Sequence, residues 1–268
     1  MNKPAIPFEI SLCNNGAWHT ELGNAPTEVP VILTVNGEQW LEFMCTPEYL
    51  DALAIGFLFN EGLINKMSDV VQVHICKEGD NVDVWTVGNI EKPASWRRTS
   101  GCAGGLTGAG MSSEPHDRKL PGPPLGLQEH FENVSICCSS INKMVVEMFK
   151  TQHLHHQSGG VHASALSDGN SLMLTCEDIG RHNTLDKLAG RVLLENVTTP
   201  PGLILTTGRI SSEMLQKSAA MGVAVVVSVT SPTSLAVDMA NEWGLTLIGY
   251  AKSNRFKVYT HPERIGAR

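Results

Sequence analysis

A single cysteine, Cys102, stands in the stretch RRTSGCAGG (97–105), behind two arginines and among small residues with little to pack. A thiol reacts as its thiolate, and neighbouring positive charge lowers its pKa. Arg97 and Arg98 bring that charge close in sequence. Glycines around the sulfur leave room for a large partner and for a swing between donor and acceptor, which suits a carrier of a persulfide. A cysteine hydrolase needs a fixed histidine base and an oxyanion hole, and nothing local supplies them. The plain alternative is a linker with an incidental thiol.

Other segments also hold chemistry. EDIGRHN (177–183) gathers Glu177, Asp178, Arg181, His182 and Asn183 around one glycine. It reads either as an organised polar network or as an internal salt bridge with a helix cap. A nucleotide hydrolase using its carboxylates is a distant further reading. TTGRISS (206–212) and TSPTS (230–234) each precede a helix pattern. Amides at a helix start favour an anion, and Arg209 adds a fork of donors. Thr207, Gly208, Arg209, Ser231, Thr233 and Ser234 are therefore candidate nucleotide contacts, with ordinary helix caps as the alternative. Zinc nucleobase deaminases need H-x-E and P-C-x-x-C. Here HAS (162–164) puts Ser164 at the glutamate's position, and no PCxxC follows, so no metal site is expected. HLHH (153–156) reads as a solvated cluster, and His162 as a satisfied core histidine.

These residues need a frame. VILTV, NG and EQWLEFM (31–44) read as a hairpin on a type I′ turn. Thr46 is expected to cap a helix with Pro47 at its first position, a stripe of Leu50, Leu53, Ala54, Phe57 and Leu58, and Gly62 at its end. VVQVHIC and VDVWTVG flank KEGDN as a second hairpin. Residues 1–96 thus read as a small α+β domain. Residues 97–135, with five glycines at 101–110 and four prolines at 114–126, read as a functional loop and linker. Residues 136–268 open on a helix striped by Ile141, Met144, Val145, Met148 and Phe149. A hairpin (161–176) and a helix (183–196) follow. Then LILT, VAVVVSV and LTLIGY alternate with amphipathic helices, the pattern of parallel strands buried on both faces. RFKVY (255–259) closes an edge. Ligands of such sheets bind beyond the carboxyl ends of the strands.

Composition narrows the function. The chain has 268 residues, 42% hydrophobic and 18% charged, with a net charge of −7. It can bury a core, and it is not a general nucleic-acid binder, which needs a basic surface. No apolar run approaches a membrane span, and the start MNKPAIPFEI lacks a signal-peptide core, so a cytoplasmic protein is expected. Seven cysteines without a CxxC do not form a disulfide framework. Apart from Cys102 they read as small buried hydrophobes.

Several stretches together resemble the formate dehydrogenase accessory sulfurtransferase family, FdhD. They are VNGEQWLEFMCTPEYLDALAIGFLFNEGLI, RRTSGCAGG, SGGVHASALSDGNSLMLTCEDIGRHNTLDKLAG and the run from TTGRISS to FKVYTH, collinear over most of 34–261. The resemblance implies an α/β fold whose C-terminal part is a cytidine-deaminase-like three-layer sandwich with a mixed, largely parallel sheet. It implies a sulfurtransferase that takes sulfane sulfur from a cysteine desulfurase onto Cys102. The sulfur then passes to molybdenum bis(molybdopterin guanine dinucleotide), the cofactor that formate dehydrogenase needs. A homodimer is implied as well. Phe256, Lys257, Val258, Tyr259, Thr260 and His261 match the family's cofactor-binding stretch. The family's motif is usually SGCGxC, and Gly105 stands where its second cysteine would be. That leaves Cys102 to work alone, or leaves a non-catalytic cofactor-binding chaperone as the alternative.

Overall fold

The computed structural model describes residues 3–93, 96–98, 106–108, 134–200 and 202–266. Cys102 and most of the 97–135 segment lie outside the described residues.

The chain opens on a ribbon, β1 (Ala5–Asn14) and β2 (Ala17–Pro26), paired antiparallel. Its turn holds Asn15 and Gly16, both at positive φ, as a type I′ turn requires. Ile6, Phe8, Ile10 and Leu12 fall on alternate positions of β1 and are exposed. The same chemistry recurs at Asn36 and Gly37, which join β3 (Val29–Val35) to β4 (Glu38–Cys45) as expected. Helix α1 (Leu50–Asn60) follows, then the hairpin β5 (Val70–Ile75) and β6 (Asn81–Thr86). These four strands form one sheet in the order β4-β3-β6-β5. Gly62, at φ 71, ends α1: its amide donates to the Phe59 carbonyl and that of Leu63 to the Leu58 carbonyl, a Schellman close. Short strands β7 (Trp96–Arg98) and β8 (Leu106–Gly108) pair antiparallel, Arg98 opposite Leu106. The expected loop segment therefore contains paired strands.

The larger half contains β9 (Ile136–Cys137), α2 (Cys138–Lys150), α3 (His153–Ser158), β10 (His162–Ser167), β11 (Leu172–Asp178) and α4 (Arg181–Leu194). Next come β12 (Leu203–Thr206), α5 (Ser212–Ala220), β13 (Val225–Ser228), α6 (Ser234–Glu242), β14 (Thr246–Gly249), β15 (Lys257–Val258) and β16 (Ile265–Gly266). Six strands form a sheet in the order β11-β10-β12-β13-β14-β15. Only the β12–β13 and β13–β14 pairings are parallel; the other three are antiparallel. The sheet is mixed rather than largely parallel, because hairpin partners occupy its edges. Helices cover both faces. Cys176 and Asp178 of β11 meet Arg191 and Lys187 of α4. Thr175 and Glu177, on the alternate face, bond Thr151 and the first amides of α3.

Two expectations fail on α1. Thr46 caps nothing: Tyr49 is the N-cap, at φ 51, and makes no side-chain cap bond. The amide and hydroxyl of Thr46 instead donate to Asp178, 132 residues away, at 3.1 and 3.0 Å. Nor is α1 amphipathic. The expected stripe packs on the small sheet, but Ala52 and Gly56 are buried too, on a second face against α4. A Cβ at Gly56 would overlap the Asp186 carbonyl, and one at Gly190 the Ala52 carbonyl. Glycines at both places let two helix backbones touch.

Candidate functional site

The loops after β12 and β13 do meet. Ile210 N–H donates to the Ser231 carbonyl at 3.3 Å and Thr233 N–H to the Ile210 carbonyl at 2.9 Å. Ser228 Oγ donates to the Gly208 carbonyl at 2.7 Å, and Gly208 N–H to Thr206 Oγ1 at 3.2 Å. The ladder thus continues past the strands and fixes both loops at their carboxyl ends. Thr207 Oγ1 accepts from Ala163 N–H at 2.9 Å and stands 3.3 Å from His162 Nδ1. Ser211 and Thr233 cap α5 and α6, accepting from Met214 and Ala236 amides. Arg209, Thr233 and Ser234 are exposed, and Ser231 is half-buried.

The 256–261 segment is divided by its antiparallel course along β14. Lys257 pairs with Gly249 and Val258 with Ile248, so Phe256 to Tyr259 begin beside the same carboxyl ends. Gly249 is needed there: a Cβ would stand 2.9 Å from Pro232 Cδ and 3.0 Å from Tyr259 Cε2. Tyr259 thereby lies against the TSPTS loop. Thr260 and His261 have passed to the other end. Thr260 is buried, its hydroxyl donating to the Leu245 carbonyl and accepting from Leu247 N–H. The His261 ring engages Glu263 and the Asn241 carbonyl. Those two side chains serve the sheet edge and do not face the joined loops.

Charge gathers at the carboxyl ends. Arg209, Lys252, Arg255 and Lys257 are all exposed, although the chain carries −7 overall. Behind the loops, the Arg181 side chain packs against Gly208. His182 Nε2 stands 3.8 Å from Glu213 Oε2, and Ser211 Oγ donates to the same oxygen at 2.8 Å. The His182 ring beside it holds the Glu213 carboxyl below its usual range. Sequence reading missed the His182–Glu213 pair, because it joins the first turns of two helices 31 positions apart.

The EDIGRHN carboxylates are engaged internally. Asp178, fully buried, accepts from Lys187 at 2.6 Å, Gly180 N–H at 2.8 Å and Asn183 Nδ2 at 2.9 Å. Glu177 accepts the amides of Leu154 and His155. The internal salt bridge is there, the following helix begins at Gly180 without a side-chain cap, and the hydrolase reading loses its carboxylates. Ser164 lies in a buried hydroxyl chain, 2.6 Å from Thr184 Oγ1 and 3.0 Å from Thr206 Oγ1. The cysteines are less uniformly buried than expected. Cys45 and Cys176 are buried, Cys76, Cys137 and Cys138 half-buried, and Cys13 exposed.

Both histidines near the loops resist protonation. Burial lowers the pKa of His162, with help from the charges of Arg181 and His182. Burial also lowers that of His182, followed by Lys217 and Arg181, against an opposing pull from Glu213. The unfolded chain therefore binds protons below about pH 6.5 that the folded chain refuses, so their contribution to stability falls as pH drops through that value. In urea titrations from pH 7.5 to 5.5, His162→Gln should flatten the loss, by at most about 1.4 kcal/mol per pH unit. An unchanged slope would reject this assignment.

Comparison with known proteins agrees with this architecture. The FdhD/NarQ family profile matches residues 26–266. A protein of Bacillus licheniformis named sulfur carrier protein FdhD is 35% identical over 94% of both chains. One of Bacillus subtilis with the same name is 33% identical over 89% of both. The crystal structure of a candidate formate dehydrogenase accessory protein from Desulfotalea psychrophila, 25% identical, superposes with a TM-score of 0.76 over 98% of this chain and all of that one. With matches of this length, and with the joined loops and divided 256–261 edge in place, the chain belongs to the FdhD/NarQ family.

Proposed function

We propose that this protein is a sulfur carrier in formate dehydrogenase maturation, bearing the sulfur on Cys102 and delivering it to molybdenum bis(molybdopterin guanine dinucleotide) at the carboxyl ends of β12, β13 and β14. Family membership and full-length relatives named as sulfur carriers support the carrier role. One observation carries the cofactor side: loops 207–211 and 230–233 are hydrogen-bonded together at the carboxyl ends of the strands, with exposed cations and tyrosine rings beside them. Phosphates fit cations and helix starts, and a base fits an aromatic ring.

The chemistry on the protein is a sulfur exchange. The Cys102 thiolate attacks the outer sulfur of a persulfide on a cysteine desulfurase. A new S–S bond forms, the old one breaks, and the desulfurase cysteine leaves as thiolate, with no net oxidation. Arg97 and Arg98 favour the anion. The cofactor is the substrate that receives the sulfur. The C-terminal half serves as a deaminase-like frame without zinc chemistry, and the protein works as a homodimer in the cytoplasm. Among the described residues, no helix is long and apolar enough to cross a membrane.

The second reading, a cofactor chaperone without sulfur transfer, is favoured by Gly105 alone. The two separate in one experiment. The protein is incubated with a desulfurase and cysteine, then mapped by mass spectrometry. The carrier reading expects one added sulfur on the Cys102 peptide; a label confined to any other cysteine, or none, rejects it.

A further inference from the structure

The residue directly after β14 is Tyr250, and its backbone is in the left-handed region at φ 54. Glycine or asparagine takes that conformation readily, whereas a bulky side chain is strained there. Two hydrogen bonds hold the place: Tyr250 N–H donates to the Thr230 carbonyl at 2.8 Å, and Ala251 N–H to the Ser228 carbonyl at 3.0 Å. The ring gains little from burial, since the residue is 42% exposed. It is oriented nonetheless, with Lys257 Nζ 4.5 Å from the ring centroid. The result is an aromatic ring on a strained, pinned backbone, exposed at the strand ends where the two loops join. Strain retained at such a place points to function rather than to stability.

We propose that Tyr250 is a base-stacking residue: its ring receives a purine base of the nucleotide, while Lys257 beside it neutralises phosphate. This rests on the reading that a nucleotide-bearing ligand binds at the carboxyl ends, and it assigns one side chain to the base. Stacking on tyrosine is tolerant of base identity, so Tyr250 supplies affinity for an aromatic base, and the polar loops supply any choice among bases. Tyr259, also exposed at 39%, lies across Gly249 toward Pro232 and is committed to holding the loop.

The test is calorimetric titration of the full chain with GDP and, separately, with pyrophosphate, which has the charge and no base. Tyr250→Ala should weaken GDP about tenfold, within the range of base–aromatic stacking, and leave pyrophosphate unchanged. Tyr250→Phe should bind both like the unsubstituted protein. Tyr250→Gly removes the backbone strain, so it should melt no lower than the unsubstituted protein yet lose GDP affinity as the alanine variant does. Unchanged GDP binding by the Ala and Gly variants overturns the inference and leaves the strand-end site standing. Equal losses of GDP and pyrophosphate also overturn it, because the ring would then only position Lys257. If the unsubstituted protein binds neither probe, the strand-end site and this inference fall together.

Discussion

Replacing Cys102 by alanine should lower formate dehydrogenase maturation by roughly 10³-fold or more, the scale on which removing a nucleophile usually acts. The expectation is this large because the buried cysteines make poor substitutes. Burial pushes the Cys45 thiol up to about 12 and the Cys176 thiol up to about 11, so neither is a thiolate at neutral pH. Cys137 is the one pulled down, by the Ser139 hydroxyl. It lines a cleft with Asp168, Gly169 and Gly202, next to the start of β12 and so at the opposite end of the sheet from the joined loops. A strain lacking the native protein, complemented with Cys102→Ala and assayed for formate oxidation, gives the answer. Full activity would remove the carrier role and leave the chaperone reading.

Lys187→Met should destabilise the fold by about 3–5 kcal/mol, the usual result of removing one partner of a buried ion pair. Lys187 is fully buried, 2.6 Å from Asp178, and also donates to the Thr46 carbonyl and hydroxyl at 3.1 and 2.9 Å. Without the ammonium, the buried Asp178 carboxyl is left with neutral donors alone. For a chain of this size the melting temperature should fall by roughly 10 °C, read by circular dichroism. Lys143→Met is the control. Its partner Glu147 is 3.7 Å away and the lysine is largely exposed, so the loss should stay below about 1 kcal/mol. Equal shifts for the two variants would mean that the buried pair has no special weight.

The sequence legibility of this fold follows the range of the interactions involved. Asn36-Gly37 and Gly62 were readable because a backbone at positive φ is a local demand with a local answer. The alternation from residue 203 onward was readable because four-residue strands buried on both faces leave continuous apolar runs. Thr46-Pro47 misled for the opposite reason: it has the form of a cap, but a carboxylate 132 positions away claims its donors. The second face of α1 was hidden because alanine and glycine carry no hydrophobic signature, and only the approach of α4 gives them meaning. The β1–β2 ribbon escapes pattern reading although Asn15-Gly16 repeats the Asn36-Gly37 signal, because its strands are mostly exposed and offer no buried apolar face to recognise. In the site, the loops after β12 and β13 could be placed by topology alone. That FKVYTH would be shared between two ends of the sheet depends on the antiparallel direction of β15, which no motif states. Cys102 remains a reading from sequence, lying outside the described residues.

The contact of α1 with α4 has a thermodynamic corollary. Lys217 joins Asp186 of α4 at 2.7 Å to Glu61, just past α1, at 3.8 Å, while Asn60 Nδ2 donates to the same aspartate at 2.8 Å. Pulling the N-terminal half away would take Asn60 and Glu61 from this cluster and part Thr46 from Asp178 and Lys187. The halves are therefore expected to melt together. A molecule captured far off at the tips of the central strands will slow hydrogen exchange in the N-terminal sheet as well, by mass action on a shared unfolding equilibrium.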